Sequence, residues 1–325
     1  MKENKELSEK IKKIVENLKP KPAQISFAII NLNNQEPEIS GFNMDEFVYP
    51  ASIYKVFIGA EVLRQVYEKK ISLEQLIEIQ SPNDVDKYSK LFPKSIRGDD
   101  LPLLKAGDRV TIDYLLNLIF TRSDNTAANT LMDLVGRESI NENIIIPNGW
   151  TGSGVTRKFL DRSKDDEKYK YSDSTVSCAR HLAELFYKIE TKILVNEWVS
   201  LKLKEYMSRW NRGGRTGLYI PEFEDIYRKS GSAINTVRAK DLIGYYRKGG
   251  WLEINGYKVN LFQAIKHLIK KGYAVNKWSN DAGVVTGENS HYAIALLSLT
   301  KSMWPWVKFP MKEFSREIYN LMEKT

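Results

Sequence analysis

Ser123-Asp124-Asn125-Thr126-Ala127-Ala128-Asn129 lies between an apolar segment, Ile112 to Phe120, and a second that opens with Leu131-Met132. It reads as a turn between two helices, with Ser123 or Asp124 as the N-cap of the second. Alone it would be an ordinary capping turn. Two other short motifs change its weight: Ser52-Ile53-Tyr54-Lys55 upstream and Lys229-Ser230-Gly231 downstream. Each carries a hydroxyl or a cation suited to acyl transfer. The ordered set is far rarer by accident than any one member.

Each outlying motif has a fitting local context. Pro50-Ala51 precedes Ser52, and the apolar run Val56 to Leu63 follows Lys55, which predicts a buried helix with Ser52 near its N-terminus. Free backbone N–H groups and the helix dipole there would stabilise an oxyanion formed during attack by Ser52. Lys55 falls one turn later on the same face. Desolvation beside other cations would lower its pKa and let it take the Ser52 proton. Taken singly, the tetrapeptide reads as a serine cap followed by a solvated lysine. Asp225 to Ala233 alternates enough to be a strand; Gly231 there allows a ligand backbone to approach closely. Its plain reading is a strand edge with an exposed lysine.

Together the motifs resemble those of the penicillin-recognising serine enzymes, and the flanks of the second are similar to class A β-lactamases. The resemblance implies that Ser52 is the nucleophile, Lys55 its general base and Ser123 a proton relay to the leaving group. It implies that the N–H groups of Ser52 and Ser232 form the oxyanion hole. Lys229, Ser230 and Gly231 would line the substrate-carboxylate site, Asn125 would meet a substrate amide, and Asp124 would hold its turn. Asn83-Asp84-Val85-Asp86-Lys87-Tyr88 resembles the loop that sets an aromatic, here Tyr88, at the site entrance. The implied fold is of the α+β type: a five-stranded antiparallel sheet packed by terminal helices, with an inserted all-helical lobe. The corresponding boundaries are 1–48 plus 211–325 for the α/β lobe and 49–210 for the helical lobe. The implied substrate is a small-molecule β-lactam or a wall peptide, with no cofactor, no metal and a monomeric chain.

The chain departs from that family in two places. Class A enzymes carry a glutamate on an omega loop that activates the deacylating water. Aligning Leu160-Asp161-Arg162 with the start of that loop puts Lys164 in the glutamate's place. Asp165, Asp166 or Glu167 could supply the carboxylate in a shifted register, although a run of this composition usually reads as a solvated loop. Arg162 and Asp173 would close the loop as an ion pair. The second departure is Ile234 to Ser279, where the family has a short turn. Its aromatic content, including Tyr245, Tyr246, Trp251 and Trp278, argues for order. It reads either as a self-packed decoration or as a lid beside the substrate strand. The altered loop keeps open a peptidase or esterase that β-lactams acylate slowly, and a β-lactam receptor that acylates once.

The rest of the sequence narrows the class. A chain of 325 residues can bury a substantial core, and 28% charged residues is ordinary for a globular protein. The net charge of +8 comes without a basic run bearing aromatic stacking residues, so nucleic acid is not an expected partner. Leu7, Ile11, Ile14, Val15 and Leu18 share one face of an N-terminal amphipathic helix. A single cysteine, Cys178, excludes an intrachain disulfide and reads as core filler. His181, His267 and His291 lack metal-ligand spacing, and no Gly-x-Ser-x-Gly elbow supports a Ser-His-Asp triad. No apolar stretch is long enough to span a membrane, and no secretory signal precedes the first helix. A periplasmic or secreted location follows from the resemblance alone, with a leader removed; a cytoplasmic chain would read the same. Gln24 to Leu32 is an expected strand, Asn280 to Thr286 and His291 to Leu299 an expected hairpin, and Phe314, Ile318 and Leu321 the buried face of a last helix.

Overall fold

The computed structural model describes residues 1–87, 102–209, 227–234, 252–254, 257–259, 275–287, 289–302 and 309–325. A short strand, β1 (Lys2–Glu3), leads into α1 (Lys5–Asn17), where the Asn4 side chain caps the Leu7 N–H. Strands β2 (Gln24–Asn31) and β3 (Glu38–Phe42) pair as an antiparallel hairpin. The chain then leaves the sheet through a 3-10 turn, Ala51–Tyr54, into α2 (Lys55–Tyr67). A small hairpin, β4 (Leu76–Glu78) with β5 (Arg109–Thr111), precedes α3 (Ile112–Thr121), α4 (Asn125–Val135) and α5 (Arg137–Ile140). Helices α6 (Ala179–Glu190) and α7 (Glu197–Ser208) complete this lobe. The chain returns as β6 (Tyr227–Ile234), a two-stranded hairpin β7 (Leu252–Ile254) and β8 (Tyr257–Val259), then β9 (Val275–Thr286), β10 (His291–Ser302) and α8 (Met311–Met322).

The main sheet has six strands in the order β1-β3-β2-β10-β9-β6. Five pair antiparallel as expected; β1 adds in parallel to β3, so the sheet is mixed. A two-residue strand is too short to show a side-chain alternation, so periodicity could not mark it. β9 begins at Val275 and not at Asn280, so the last residues of the expected 234–279 insertion belong to the sheet. Ile234 closes β6, and otherwise only β7 and β8 are described within that insertion; Tyr245, Tyr246, Trp251 and His267 lie outside the described residues.

Period-two alternation divides the core. On β2, Ile25, Phe27 and Ile29 face α1 and α8, joined by Tyr292, Ile294 and Leu296 of β10 and by Phe314 and Ile318 of α8. Met322 is buried in the last turn of α8 where Leu321 was expected; Leu321 is half-buried. On the other face, Ala28, Ile30, Ala293, Ala295 and Leu297 meet α6, and this core runs without a break into the helical lobe around α2. Val56 to Leu63 are all buried, so α2 is the lobe's central helix rather than an amphipathic surface one. Gly59 lets α3 close on it: a Cβ there would fall 2.6 Å from the Phe120 ring.

Candidate active site

Ser52 and Lys55 lie at the junction of sheet and helical lobe. Ser52 is half-buried within the 3-10 turn, and the α-helix starts at Lys55, one turn later than the sequence suggested. The tighter coil is common at helix N-termini. Ala51 enters it with φ of +50°, left-handed backbone that costs an L-residue roughly 1–2 kcal/mol. Strain of this kind persists where the surroundings impose it. Here they do so through the sheet: Asn280 of β9, fully buried, donates to the Tyr49 carbonyl at 2.9 Å and accepts the Ser298 N–H of β10 at 2.9 Å. β6 and β9 both lie against the turn.

Lys55 is fully buried. Its ammonium donates to the Ser123 carbonyl at 2.7 Å, to Asn125 Oδ1 at 2.8 Å and to Ser123 Oγ at 3.2 Å. Burial pulls its pKa down from 10.5 to about 7, against the opposing pull of the Asp86 and Asp124 carboxylates. Desolvation alone causes the lowering; the neighbouring charges are anionic, not the cations expected, and oppose it. Asp124 caps α4 by accepting the Ala127 N–H at 2.8 Å and is ion-paired with buried Arg122 at 3.0 Å. Ser123 has φ of +58°, and both its carbonyl and its hydroxyl are within reach of Lys55. Asn125 donates from both backbone N and Nδ2 to Asp86, at 2.6 and 3.2 Å, so one amide N–H is spent internally. The sequence singled out the 83–88 loop only for Tyr88, which lies outside the described residues, and missed Asp86 beside it.

The expected register of the loop after α5 is not the observed one. Lys164 is exposed in a 3-10 turn; the residue presented to the site is Phe159, whose ring centroid is 4.2 Å from Lys55 Nζ. Phe159 is fixed on both sides. Its N–H donates to Asn129 Oδ1 at 2.7 Å, and its ring stacks on Tyr54 at 4.5 Å with an interplanar angle of 3°. Asn129 stood in the opening motif without a role, and its amide acceptor is what sets the loop register.

The carboxylates offered as alternatives sit in ion pairs. Asp165 is buried and bonded by Arg137 Nη2 at 2.5 Å, with Arg157 Nε at 3.4 Å. Burial pushes its carboxyl up, but the Arg137 bonds and charge outweigh that and hold it below the ordinary range. Asp166 meets Arg137 at 3.1 Å and Lys158 at 3.6 Å, and exposed Glu167 pairs with Lys170 at 3.1 Å. Arg162 and Asp173 are both exposed, and the loop-closing role expected of them falls to Arg137, Arg157 and Asp165.

On the sheet side, β6 carries Lys229, Ser230, Gly231 and Ser232 opposite Ala282, Asp281, Asn280 and Ser279 of β9. The backbone thus brings the third motif alongside the Ser52 turn. His181 takes a hydrogen bond with Ser153 Oγ at 2.8 Å, and Cys178 is fully buried with its thiol pushed up to about 11 by burial. His291 lies 3.2 Å from Glu190. None of these joins the Lys55 cluster. Among the described residues no helix is long and apolar enough to cross a membrane.

A buried, deprotonatable lysine bonded to one serine hydroxyl, and three residues after a second, half-buried serine, suits covalent acyl transfer. The chain is similar to known β-lactamases. Beta-lactamase VEB-1 of Pseudomonas aeruginosa is 30% identical over 155 residues, 47% of this chain and 48% of that protein. Extended-spectrum beta-lactamase PER-1 of the same organism is 25% identical over 207 residues, 64% of this chain and 62% of that one. The chain thus spans about half to three-fifths of these relatives' length. Among solved structures, PBP-A superposes with a TM-score of 0.67 at 18% identity over 100% of this chain and 99% of that one. A PBP-A variant solved as an acyl-enzyme complex with penicillin G gives 0.68 at 18% over 100% of both chains, and the TLA-1 extended-spectrum beta-lactamase gives 0.67 at 17% over 98% and 99%. These likenesses establish the fold. The profile of the beta-lactamase enzyme family matches residues 6–250, and the chain belongs to that family.

Proposed function

We propose that the protein is a serine hydrolase that opens a β-lactam or related amide through an acyl-enzyme on Ser52. The observation that carries this reading is the buried Lys55, held by Ser123 and Asn125, with its pKa drawn down to about 7. Neutral Lys55 accepts the Ser52 proton as the hydroxyl attacks the carbonyl. The Ser52 and Ser232 N–H groups hold the oxyanion; losing one such donor costs roughly 2.7–4 kcal/mol of barrier. Ser123 passes a proton to the leaving nitrogen. Lys229 and Ser230 bind the substrate carboxylate at Gly231, and Asn125 offers its remaining amide N–H to the substrate.

A second reading concerns the acyl-enzyme's lifetime. Phe159 covers Lys55 where a water base would stand, and Asp165, Asp166 and Glu167 are engaged elsewhere. This favours slow release, as in a penicillin-binding peptidase or a receptor. Both readings are tested by mixing the protein with a penicillin and following its intact mass, with Ser52→Ala in parallel. A Ser52-dependent adduct supports the mechanism; an adduct on Ser52→Ala, or none on the parent with any β-lactam, removes it. Persistence over many minutes supports slow release. Phe159→Glu, which puts a carboxylate beside Lys55, is expected to clear the adduct at least about tenfold faster, within the range of positioned general bases. An unchanged lifetime would mean that the water base is missing for another reason.

A further inference from the structure

Asp86 is buried and has no place in the acyl-transfer scheme above, yet every one of its contacts leads to the site. Its two carboxylate oxygens take the Asn125 backbone N–H and side-chain N–H, and its own N–H donates to Thr126 Oγ1 at 3.3 Å. An amide side chain has one carbonyl and one NH2 end. A carboxylate accepts only, so Asp86 fixes which end faces it and turns Asn125 Oδ1 toward Lys55, at 2.8 Å. Asp86 also acts on Lys55 through space, as an anion favouring the protonated amine.

We propose that Asp86 is the positioning residue of this centre, clamping Asn125 so that its carbonyl oxygen faces Lys55 and setting by its own charge how readily Lys55 gives up a proton. This inference rests on Lys55 acting as the general base. The other groups on the elements packed against α2 and its 3-10 turn are accounted for element by element. Asp124, at the start of α4, is compensated by Arg122. Arg137 of α5 is compensated by Asp165, and Glu61 of α2 by Arg64 at 2.6 Å. Phe159 and Tyr54 are uncharged at neutral pH, and Lys229 lies on β6, the strand packed against the turn. Asp86 is bonded to Asn125, which is itself bonded to Lys55, and its charge acts on the ammonium more strongly than that of Asp124.

The test reads Lys55 in the resting protein. Lysine labelled with 13C at the ε-carbon is titrated by NMR, with Lys55→Arg used once to assign the signal. In Asp86→Asn the Lys55 midpoint is expected to fall by about one pH unit, the effect of removing one nearby opposite charge. The acid limb of Ser52 acylation should move the same way, while its plateau drops because Asn125 is no longer held. Asp133→Asn, at a carboxylate bonded to Asn83 and Lys158 and not to Lys55 or Asn125, is expected to leave the midpoint in place. Should Asp86→Asn not fold, Asp86→Ser provides the same loss of charge with room for water. A Lys55 midpoint that stays put in a folded Asp86 variant overturns the proposal, as does one that moves equally in Asp133→Asn. Failure of the acylation reading is separate: the parent would then form no Ser52 adduct, and the NMR comparison would still decide the role of Asp86.

Discussion

At the scale of single residues, the proposed mechanism depends on a neutral Lys55, whose pKa burial draws down to about 7. Below its pKa the fraction of neutral Lys55 falls tenfold per pH unit. The second-order acylation rate, measured by stopped flow between pH 5 and 9, should therefore fall on an acid limb centred near 7. A profile flat across that range would remove Lys55 as the base. The residues of this cluster were legible to different degrees. Ser52, Lys55, Ser123 and Asn125 announce themselves because short motifs fix their spacing. Asp86, Phe159 and Asn280 do not, since their roles come from contacts between distant segments: Asp86 with Asn125, Phe159 with Asn129, Asn280 with Tyr49. A carboxylate in a loop looks the same in sequence whether it is solvated or clamped.

At the scale of elements, the loop between α5 and α6 is held by charge. Arg137 and Asp165 are both buried, and the Arg137 guanidinium also lies 3.7 Å from the Tyr169 ring centroid. Removing one partner leaves the other uncompensated, so Asp165→Ala is expected to cost about 3–5 kcal/mol in urea denaturation. The same change to the exposed pair Lys192–Glu197 should leave the midpoint where it is. A loss of well under 1 kcal/mol for Asp165→Ala would show that the loop is anchored by something other than this pair. The sequence predicted a solvated run here because charge runs usually are, and composition does not reveal an arginine waiting on a neighbouring helix. Helices fared better. The buried stripe of α1 and the apolar run of α2 follow from periodicity and run length alone, whereas the Val275 start of β9 was hidden behind a polar stretch, Asn276 and Lys277.

At the scale of the molecule, one hydrophobic core passes from the sheet through α6 into the helical lobe, and Trp150 is buried within it. The packing does not stop at the expected boundary at 48/49, and the other expected boundary, 210/211, lies outside the described residues. Heating followed by far-UV circular dichroism and by tryptophan fluorescence should give coincident single transitions. Two separated transitions would mean that the lobes melt independently. The alternation on β2 and β10 made a two-faced sheet readable, and the motifs gave the order of its parts. The parallel addition of β1 was not readable.

The left-handed backbone at Ala51 bears on how this protein tolerates change. Position 51 is 2% exposed, which in an ordinary core would favour larger apolar side chains and disfavour glycine. With φ at +50° the ranking inverts. Glycine and asparagine enter that backbone readily, while valine and isoleucine meet their own β-branch. In a saturation library selected for Ser52 acylation, the position next to the nucleophile should therefore accept the residues that the rest of the core rejects.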